Sequence, residues 1–192
     1  MYDRLKQWVF DEGGRLLYLG GNGLNCEVEL LPNHAMLCHN GKIAGLSVAG
    51  LGGKESRLHL RHESEANLLG VVFTPAGAMT GAPYRVEDET HWAFAGTGLK
   101  AGDLFGQKSL HQRCPGGASG HETDKVSPSS PANVRRLAKG LNPDDGGADM
   151  VIFDTPSGGT VFSAGSINYA CSLPIDANIS TLTANVVRRF LG

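Results

Sequence analysis

Two segments of the chain, one near each end, have the apolar spacing of an α-helix. Apolar residues three and four positions apart lie on one face of a helix, and this spacing predicts that the face is buried. Asp3 is the predicted N-cap of the first helix, and Asp176 or Asn178 is that of the last, because short polar side chains accept free amide hydrogens there. The apolar positions are Leu5, Trp8 and Val9 in the first segment and Ile179, Leu182, Val186 and Phe190 in the second.

A short apolar run follows the first helix and ends at a glycine-rich turn. Residues 15–19 (Arg-Leu-Leu-Tyr-Leu) have the character of a buried parallel strand. Residues 20–23 (Gly-Gly-Asn-Gly) stop this run abruptly. A strand that leads directly into such a turn is a common location for a binding site in an open α/β sheet.

The middle of the chain, residues 24–115, has a different pattern. Its apolar or alternating runs are short and are interrupted by proline and glycine, so the pattern predicts no long helix there. We therefore expect a β-rich insertion with long loops. The predicted strands cover residues 26–31, 35–38, 57–61, 68–73 and 92–95.

The last third of the chain returns to a mixed pattern. It predicts a loop over residues 116–132, a short helix over 133–139, and a hairpin with arms at 149–155 and 160–164. The fold class is therefore α/β with a β-rich insertion, in a single domain over residues 1–192. Because only one clean strand–helix unit is recognisable, the pattern is typical of the later part of a larger α/β domain.

Composition and charge exclude several classes of protein. With 192 residues and 41% hydrophobic residues, the chain is long and apolar enough for a buried core, which argues against disorder. A formal net charge of −2 argues against a nucleic-acid-binding surface. No apolar run is long enough to span a membrane, and the N-terminus lacks the pattern of a secretory signal, so we expect a cytoplasmic location and no membrane partner.

The cysteines offer one chemical alternative. Cys26, Cys38, Cys114 and Cys171 are widely spaced and form no Cys-x-x-Cys pair, which argues against a cysteine-based zinc site. Cys114 precedes the glycine-rich segment 116–120 and is the best-placed thiol for a cysteine hydrolase. No nucleophile-elbow motif supports that hypothesis, and buried free thiols are the ordinary alternative.

The Gly-Gly-Asn-Gly turn is the first candidate site. Gly21 and Gly23 allow backbone amides to approach a substrate closely, and the Asn22 side chain can orient a carbonyl group. The turn is not a Walker A loop, because no Lys-Ser/Thr pair follows it. The alternative is a plain strand-to-loop turn in which asparagine tolerates a positive φ.

The second candidate site is the polar end of segment 116–125. His121 and Glu122 lie beside Asp124 and Lys125 on a loop of small residues, a composition that suits acid–base catalysis or metal binding. The alternative is an exposed loop whose aspartate and lysine are merely solvated. Both interpretations remain open from the sequence.

A third, weaker candidate is the pair His59 and His62. Two histidines three residues apart, followed by Glu63, could hold a metal ion if the segment were helical. Alternation of leucines with His59 and Arg61 favours a strand instead, which places His59 and His62 on opposite faces.

Four segments, in this order and spacing, resemble the large subunit of N,N-dimethylformamidase and its relatives. They are residues 14–23, 117–125, 159–167 and 178–191. The resemblance extends over nearly the whole chain, and it is more specific for the family than for the substrate. It implies the C-terminal part of a class I glutamine-amidotransferase-like (flavodoxin-like) domain with a β-rich insertion.

The resemblance also implies a reaction and a site. The family reaction is hydrolysis of the C–N bond of a small amide, with one iron held by two tyrosines and a glutamate, in an assembly with a small partner chain. Asn22 and Glu122 match positions near that active site. The implied roles are orientation of the amide oxygen for Asn22 and acid–base chemistry for Glu122, with His121 beside it and Gly21 and Gly23 at the substrate.

This chain departs from the family pattern in two places. The family's iron ligands lie N-terminal to the four segments, in part within a His-Pro-Glu-Tyr motif that this chain lacks, and Tyr2 has no counterpart. Leu24, Asn25 and Cys26 stand where the dimethylformamidase branch has bulky aromatics. We therefore expect no metal ligands in this chain, no activity without a missing N-terminal half or partner subunit, and a different small amide as substrate. The alternative is a non-catalytic module that packs on a partner subunit.

Overall fold

The computed structural model describes residues 1–32, 34–38, 57–61 and 63–192. In these residues only the first and last α-helices are longer than five residues, and none of the helices is long and apolar enough to cross a membrane. The α-helices are α1 (Tyr2–Phe10), α2 (Leu58–Arg61), α3 (Ala66–Leu69), α4 (Asn168–Ser172) and α5 (Ala177–Leu191), and a 3-10 helix covers Trp92–Phe94.

Strands dominate the rest of the described chain. Twelve strands are present in this part, and most of them are two to four residues long. They are β1 (Arg15–Tyr18), β2 (Val28–Leu30), β3 (Met36–Cys38), β4 (Val72–Thr74), β5 (Gly81–Ala82), β6 (Tyr84–Val86), β7 (Leu104–Phe105), β8 (Ser119–Gly120), β9 (Thr123–Lys125), β10 (Arg135–Gly140), β11 (Asp149–Asp154) and β12 (Thr160–Ser163).

Six of these strands form one mixed sheet, in the order β1-β12-β11-β10-β6-β7. β1 pairs with β12 in parallel, whereas every other neighbouring pair in this sheet is antiparallel. The predicted hairpin at residues 149–164 is confirmed as β11 and β12. The predicted parallel strand after the first helix is confirmed as β1, although it is half-buried because it lies at the edge of the described sheet.

The sheet is covered on both faces, and the sequence of β11 shows why. Side chains alternate between the two faces of a strand, and β11 is apolar at successive positions. Met150 and Ile152 belong to a core cluster that includes Leu182 of α5. Val151 and Phe153 belong to a second cluster on the other face, with residues of α1 and α3. The architecture is therefore three-layered, with α5 on one face and α1 and α3 on the other.

Two predictions of local structure are wrong. Residues 133–139 form no helix, because Arg135–Gly140 is strand β10, paired on one side with β11 and on the other with β6. Residues 57–61 form no strand, because Leu58–Arg61 is one turn of helix. Both segments are too short for periodicity to separate helix from strand, so distant partners decide the outcome.

Three smaller expectations also differ from the structure. Residues 92–95 form a 3-10 turn rather than a strand, and the imidazole of His91 accepts the Ala93 amide at its start. The predicted loop at 116–132 contains the short strands β8 and β9. Met1 occupies the N-cap position of α1, while Asp3 lies within its first turn, where a carboxylate favours the positive end of the helix dipole.

The segment at residues 24–115 is only partly an addition to the sheet. β2 and β3 form a two-stranded ribbon, but β6 and β7 from the same segment join the main sheet beside β10. Much of the predicted insertion, residues 39–56, lies outside the described residues. Within the described residues, part of this segment therefore belongs to the main sheet, and the segment does not form a separate unit.

The predicted cap of α5 leads to a first testable expectation. Asp176 Oδ1 accepts the amides of Asn178 and Ile179, both at 3.0 Å, and Oδ2 accepts the Gly106 amide at 3.0 Å. Replacing Asp176 with alanine leaves these amides without an acceptor, so we expect a loss of about 2 kcal/mol in unfolding free energy.

Urea denaturation followed by circular dichroism measures this loss. The matched control is Asp11→Ala, which removes an exposed aspartate at the end of α1 with no side-chain hydrogen bond in the described part of the chain. Equal effects of the two substitutions would contradict the importance of the cap.

Candidate functional site

The turn after β1 holds its backbone in an uncommon conformation. Asn22 and Leu24 have φ values of 55° and 53°, in the left-handed region. Asparagine adopts this region more readily than most residues, which explains its place in the Gly-Gly-Asn-Gly turn. Gly20, Gly21 and Gly23 have no positive φ, so glycine is needed here because neighbouring atoms lie too close for a Cβ, and not because of backbone conformation.

The polar segment 119–125 is an ordered hairpin-like excursion rather than a solvated loop. β8 pairs with β5, and β9 pairs with β4, with His121 and Glu122 between them. His121 has a φ of 64°, and its backbone exchanges hydrogen bonds with Met79 and Thr80. The segment is thereby fixed from two sides, and Asp124 and Lys125 are not the solvated residues of the plain-loop alternative.

The two candidate sites meet at Asp124. The Asn22 amide donates to Asp124 Oδ1 at 2.8 Å, and the Tyr18 hydroxyl donates to Oδ2 at 2.9 Å. The Tyr18 hydroxyl in turn accepts the Gly23 amide at 2.7 Å. A carboxylate from the second segment therefore holds the turn of the first, across more than a hundred residues of sequence.

Close backbone contacts complete this junction. A Cβ added to Gly21 would lie 2.5 Å from the Glu122 carbonyl oxygen, so only glycine fits there. The Asp124 amide donates to the Gly165 carbonyl at 2.8 Å, just after β12. The Ser166 hydroxyl accepts the Gly120 amide at 2.8 Å. Three of the segments that carry the family resemblance thus converge in one place.

Asp124 is the titratable group at the centre of this site. Its side chain is buried, with 1% of the residue exposed. Burial raises the pKa of Asp124 to about 7, although the hydrogen bonds from Asn22 and Tyr18 favour the charged form and oppose the rise. The pKa of Tyr18 is raised by burial and by the Asp124 charge, so its hydroxyl remains a donor. Asp124 can therefore hold or release a proton near neutral pH.

A second buried acid, Glu65, lies close enough to contribute to the Asp124 pKa. It is 1% exposed, and burial raises its pKa. Glu65 Oε1 contacts His59 Nδ1 at 2.9 Å, while Oε2 has no hydrogen-bond partner in the described chain. Because both acids are buried and their negative charges repel, ionisation of Asp124 and Glu65 at the same time is unfavourable, and one of them is expected to keep its proton near neutral pH.

Asn22 offers a hydrogen-bonding group to a ligand. Its Oδ1 atom is buried and has no partner among the described residues. Since the oxygen and nitrogen of an amide side chain exchange places by a half-turn, this position can present either an acceptor or a donor. A buried polar atom without a partner costs free energy unless a ligand or water satisfies it.

His121 and Glu122 do not share a contact with Asp124. The His121 ring turns to His111, with Nδ1 and Nε2 2.7 Å apart. Burial, His121 and Arg113 lower the pKa of His111, which favours a neutral ring. Glu122 is half-buried, and its carboxylate makes no hydrogen bond or ion pair within the described residues.

Of the histidine pair considered as a metal site, only His59 lies within the described residues. His59 lies in helix α2 and pairs with Glu65, while His62 lies outside the described residues. Among the residues that the structure describes, no group of three histidine, cysteine or acidic side chains is arranged to hold a metal ion.

Cys114 is poorly placed for nucleophilic catalysis. It is 2% exposed, and its backbone amide donates to His111 Nδ1 at 3.2 Å. His111 Nδ1 is thus engaged with the backbone, and its Nε2 is engaged with His121. The position favours a structural cysteine over the thiol-hydrolase hypothesis.

The ligand set implied for iron does not fit the tyrosines of this chain. All four tyrosine hydroxyls donate to or share hydrogen bonds with protein atoms: Tyr2 with Ser64, Tyr18 with Asp124, Tyr84 with Ala164 and Tyr169 with Thr183. Tyr84 and Tyr169 are also fully buried. The residues present therefore do not form the site of two tyrosines and a glutamate.

Sequence reasoning missed Tyr18 and Glu65 as site residues, and within the second candidate site it preferred Glu122 to Asp124. Tyr18 is the last residue of β1, directly before the turn, so the rule that sites follow strand ends could have identified it. Asp124 lay inside the quoted segment but carried no local sign of burial. Glu65 had no signal in the sequence, since only its packing removes it from water.

Comparison with known proteins places these segments in one family. The chain matches the family model described as N,N-dimethylformamidase beta subunit-like, C-terminal, over residues 1–182. It is 25% identical to the N,N-dimethylformamidase beta subunit of Alcaligenes sp over 223 aligned positions, and 26% identical to that of Paracoccus aminophilus. Each alignment covers 94% of this chain but only 29% of the relative, so the chain spans under a third of their length.

Proposed function

We propose that this chain forms part of an enzyme that hydrolyses the C–N bond of a small amide. The proposal starts from its family, since the chain belongs to the N,N-dimethylformamidase beta subunit-like family and matches the model of its C-terminal region. The observation that carries the proposal is the buried Asp124 carboxyl, held between the glycine-rich turn and segment 119–125 with a pKa of about 7. Such a group is suited to proton transfer at neutral pH.

Each residue of the site has a defined role in this proposal. Amide hydrolysis adds water to the carbonyl carbon and releases an amine, which needs a proton as the C–N bond breaks. Asp124 supplies or holds that proton, and Tyr18 positions its carboxyl group. Asn22 orients the amide group of the substrate through its unpaired side chain, and Gly21 and Gly23 allow the backbone to approach it.

Glu122 and His121 border the site and complete it. The unpaired, half-buried Glu122 carboxylate is free to exchange protons with water at the site. His121 fixes the segment beside it through His111. We propose no step through iron, since the tyrosines present do not fit it, and we place any iron on ligands outside the described residues.

The proposal extends to the whole assembly. We propose that the six-stranded sheet is part of a larger glutamine-amidotransferase-like domain, that the chain alone is inactive, and that it works with further chain or a partner subunit. The name of the relatives, beta subunit, supports a partner subunit, and their greater length supports further chain. The alternative is a non-catalytic module that packs on a partner subunit.

Glu122→Gln in the complete enzyme, with every segment and subunit that its activity requires, tests the assignment. We expect kcat for a small amide to fall about 100-fold, because the variant cannot exchange a proton. The matched control is Glu89→Gln, a half-buried acid far along the chain from both segments.

The two hypotheses give different results in this experiment. Unchanged kcat in Glu122→Gln and in Asn22→Ala would remove the catalytic assignment and favour the structural module. Failure of the complete wild-type enzyme to hydrolyse any small amide would overturn the proposed reaction itself.

A further inference from the structure

A cavity of about 960 Å³ lies at the opposite end of the main sheet from Asp124. Arg15, which begins β1, is paired in register with Thr160, which begins β12, and Asp154 at the end of β11 lies next to them. All three line the cavity, whereas Tyr18 and Ser163 end the same strands on the Asp124 side. The volume is within the range of small-molecule sites.

The charge of this cavity is opposite to that of the protein. Arg15, Arg135, Arg188 and Arg189 line it, and Asp154 is the one acidic side chain among the lining residues. The chain as a whole has a net charge of −2. The four arginines are joined by His91, whose pKa is lowered mainly by burial, so the positive charge of the lining comes from arginine. The planar forks of arginine match carboxylate and phosphate oxygens. We refer to this site as the arginine cavity.

The arginines differ in how far the fold already occupies them. Arg15 donates to the carbonyl oxygens of Arg189 and Phe190, at 3.2 and 2.7 Å, and so caps the end of α5. Arg135 pairs with Asp88. Arg189 lies over the Trp92 ring, 5.8 Å from its centroid. Arg188 has no hydrogen bond or ion pair within the described part of the chain.

These contacts leave Arg15, Arg188 and Arg189 without an ion-pair partner among the described residues. Arg15 and Arg189 are held in place by carbonyl groups and a ring, neither of which carries a countercharge. Trp92 and Phe190 add an aromatic wall to the same cavity. Preorganised guanidinium groups beside an apolar wall suit a ligand with anionic groups on an organic body.

We propose that the arginine cavity binds a small organic anion carrying two or more carboxylate or phosphate groups. Arg188 and Arg189 contact the anionic groups, and the body of the ligand lies against Trp92. This site is independent of the proposed amide hydrolysis, and it needs no residue of the Asp124 site.

Titration of the 192-residue chain with pyrophosphate and with citrate tests the proposal, by calorimetry at about 50 mM salt. We expect saturable binding of at least one of these probes. In a ¹⁵N spectrum, the indole signal of Trp92 should shift on binding while that of Trp8, which does not line the cavity, remains in place.

Arg188→Gln localises the interaction without removing a contact of the fold. We expect it to weaken binding about tenfold, since one charge-assisted hydrogen-bonding group is lost. Arg113→Gln makes the same charge change at an exposed arginine outside the cavity and should leave affinity unchanged.

Three results would overturn the proposal. They are no saturable binding of either probe, equal weakening by Arg113→Gln and Arg188→Gln, or binding of an acidic peptide when neither small anion binds. The last result would indicate a protein partner at this surface instead.

Discussion

Asp124→Asn is expected to stabilise the protein at pH 7.5 and to remove much of the pH dependence of its stability. The pKa of Asp124 is about 7 in the folded chain and about 4 in an unfolded one. Because the pKa is higher in the folded state, protonated Asp124 contributes fully to the unfolding free energy below pH 4. This contribution falls as the pH rises from 4 to 7, and it is absent above pH 7. The difference amounts to roughly 4 kcal/mol.

Asparagine has the same shape but does not ionise. It keeps the acceptor for the Asn22 amide, but it presents an N–H₂ group where the Tyr18 hydroxyl now donates, at a cost of about 1 kcal/mol. At pH 4 the variant should therefore be slightly less stable than the wild type, and at pH 7.5 more stable by about 3 kcal/mol.

Urea denaturation at half-unit steps from pH 4 to 7.5 checks this expectation. The upper limit of pH 7.5 avoids the titration of Lys125, because burial lowers its pKa to about 8. The contribution of neutral Lys125 to the unfolding free energy is lost as the pH falls from its unfolded-state pKa to about 8, so it does not change within the range measured. Asp11→Asn, at an exposed aspartate, should keep the wild-type profile. Parallel curves for Asp124→Asn and the wild type would show that folding does not raise the pKa of Asp124.

Elements with a strong local pattern were predictable from the sequence. The final helix shows its apolar spacing and its Asp176 cap within fifteen residues, and the structure has both. The β11–β12 hairpin has two apolar arms around a tight turn, and it too forms as expected. In these elements the residues that decide the structure are close together in the chain.

Elements that depend on distant partners were not predictable in the same way. Strand β10 contains Leu137 and Ala138, whose burial comes from pairing with β6 and β11 rather than from any local pattern. A short segment with two apolar residues fits a helix equally well. The sheet resolves that ambiguity, and the sequence of the segment alone does not.

The same distinction between local pattern and distant partners applies to the residues of the candidate site. The Gly-Gly-Asn-Gly turn was recognisable because its glycines and its preceding strand are adjacent in sequence. The importance of Asp124 depends on Tyr18 and Asn22, which lie about a hundred residues earlier, and on burial by both. A single aspartate in a polar segment gives no sign of such burial, so its shifted pKa is visible only in the folded chain.

Gly21→Ala is expected to separate the two segments that form the site. The added Cβ would lie 2.5 Å from the Glu122 carbonyl oxygen and 3.0 Å from its carbonyl carbon. Both are backbone atoms, and the Glu122 carbonyl also accepts the Ile167 amide at 3.4 Å, so neither side can yield without loss of a contact. We expect unfolding free energy to fall by about 3 kcal/mol.

Gly20→Ala is the matched control, one residue earlier in the same turn. Its added Cβ would lie 3.1 Å from the edge of the Tyr18 ring, a looser contact than that at Gly21, and with a side chain rather than with backbone. Neither glycine has a positive φ, so backbone strain does not distinguish the two substitutions. We expect the control to lose less than about 1 kcal/mol.

The ¹⁵N signal of Asn22 follows the local consequence. Its amide donates to Asp124, and in Gly21→Ala displacement of the turn should break this bond, move the signal and increase its exchange with solvent. Equal stability of the two variants, with an unmoved Asn22 signal, would mean that the turn and segment 119–125 are not in contact in solution. The Asp124 site would then not exist as the structure describes it.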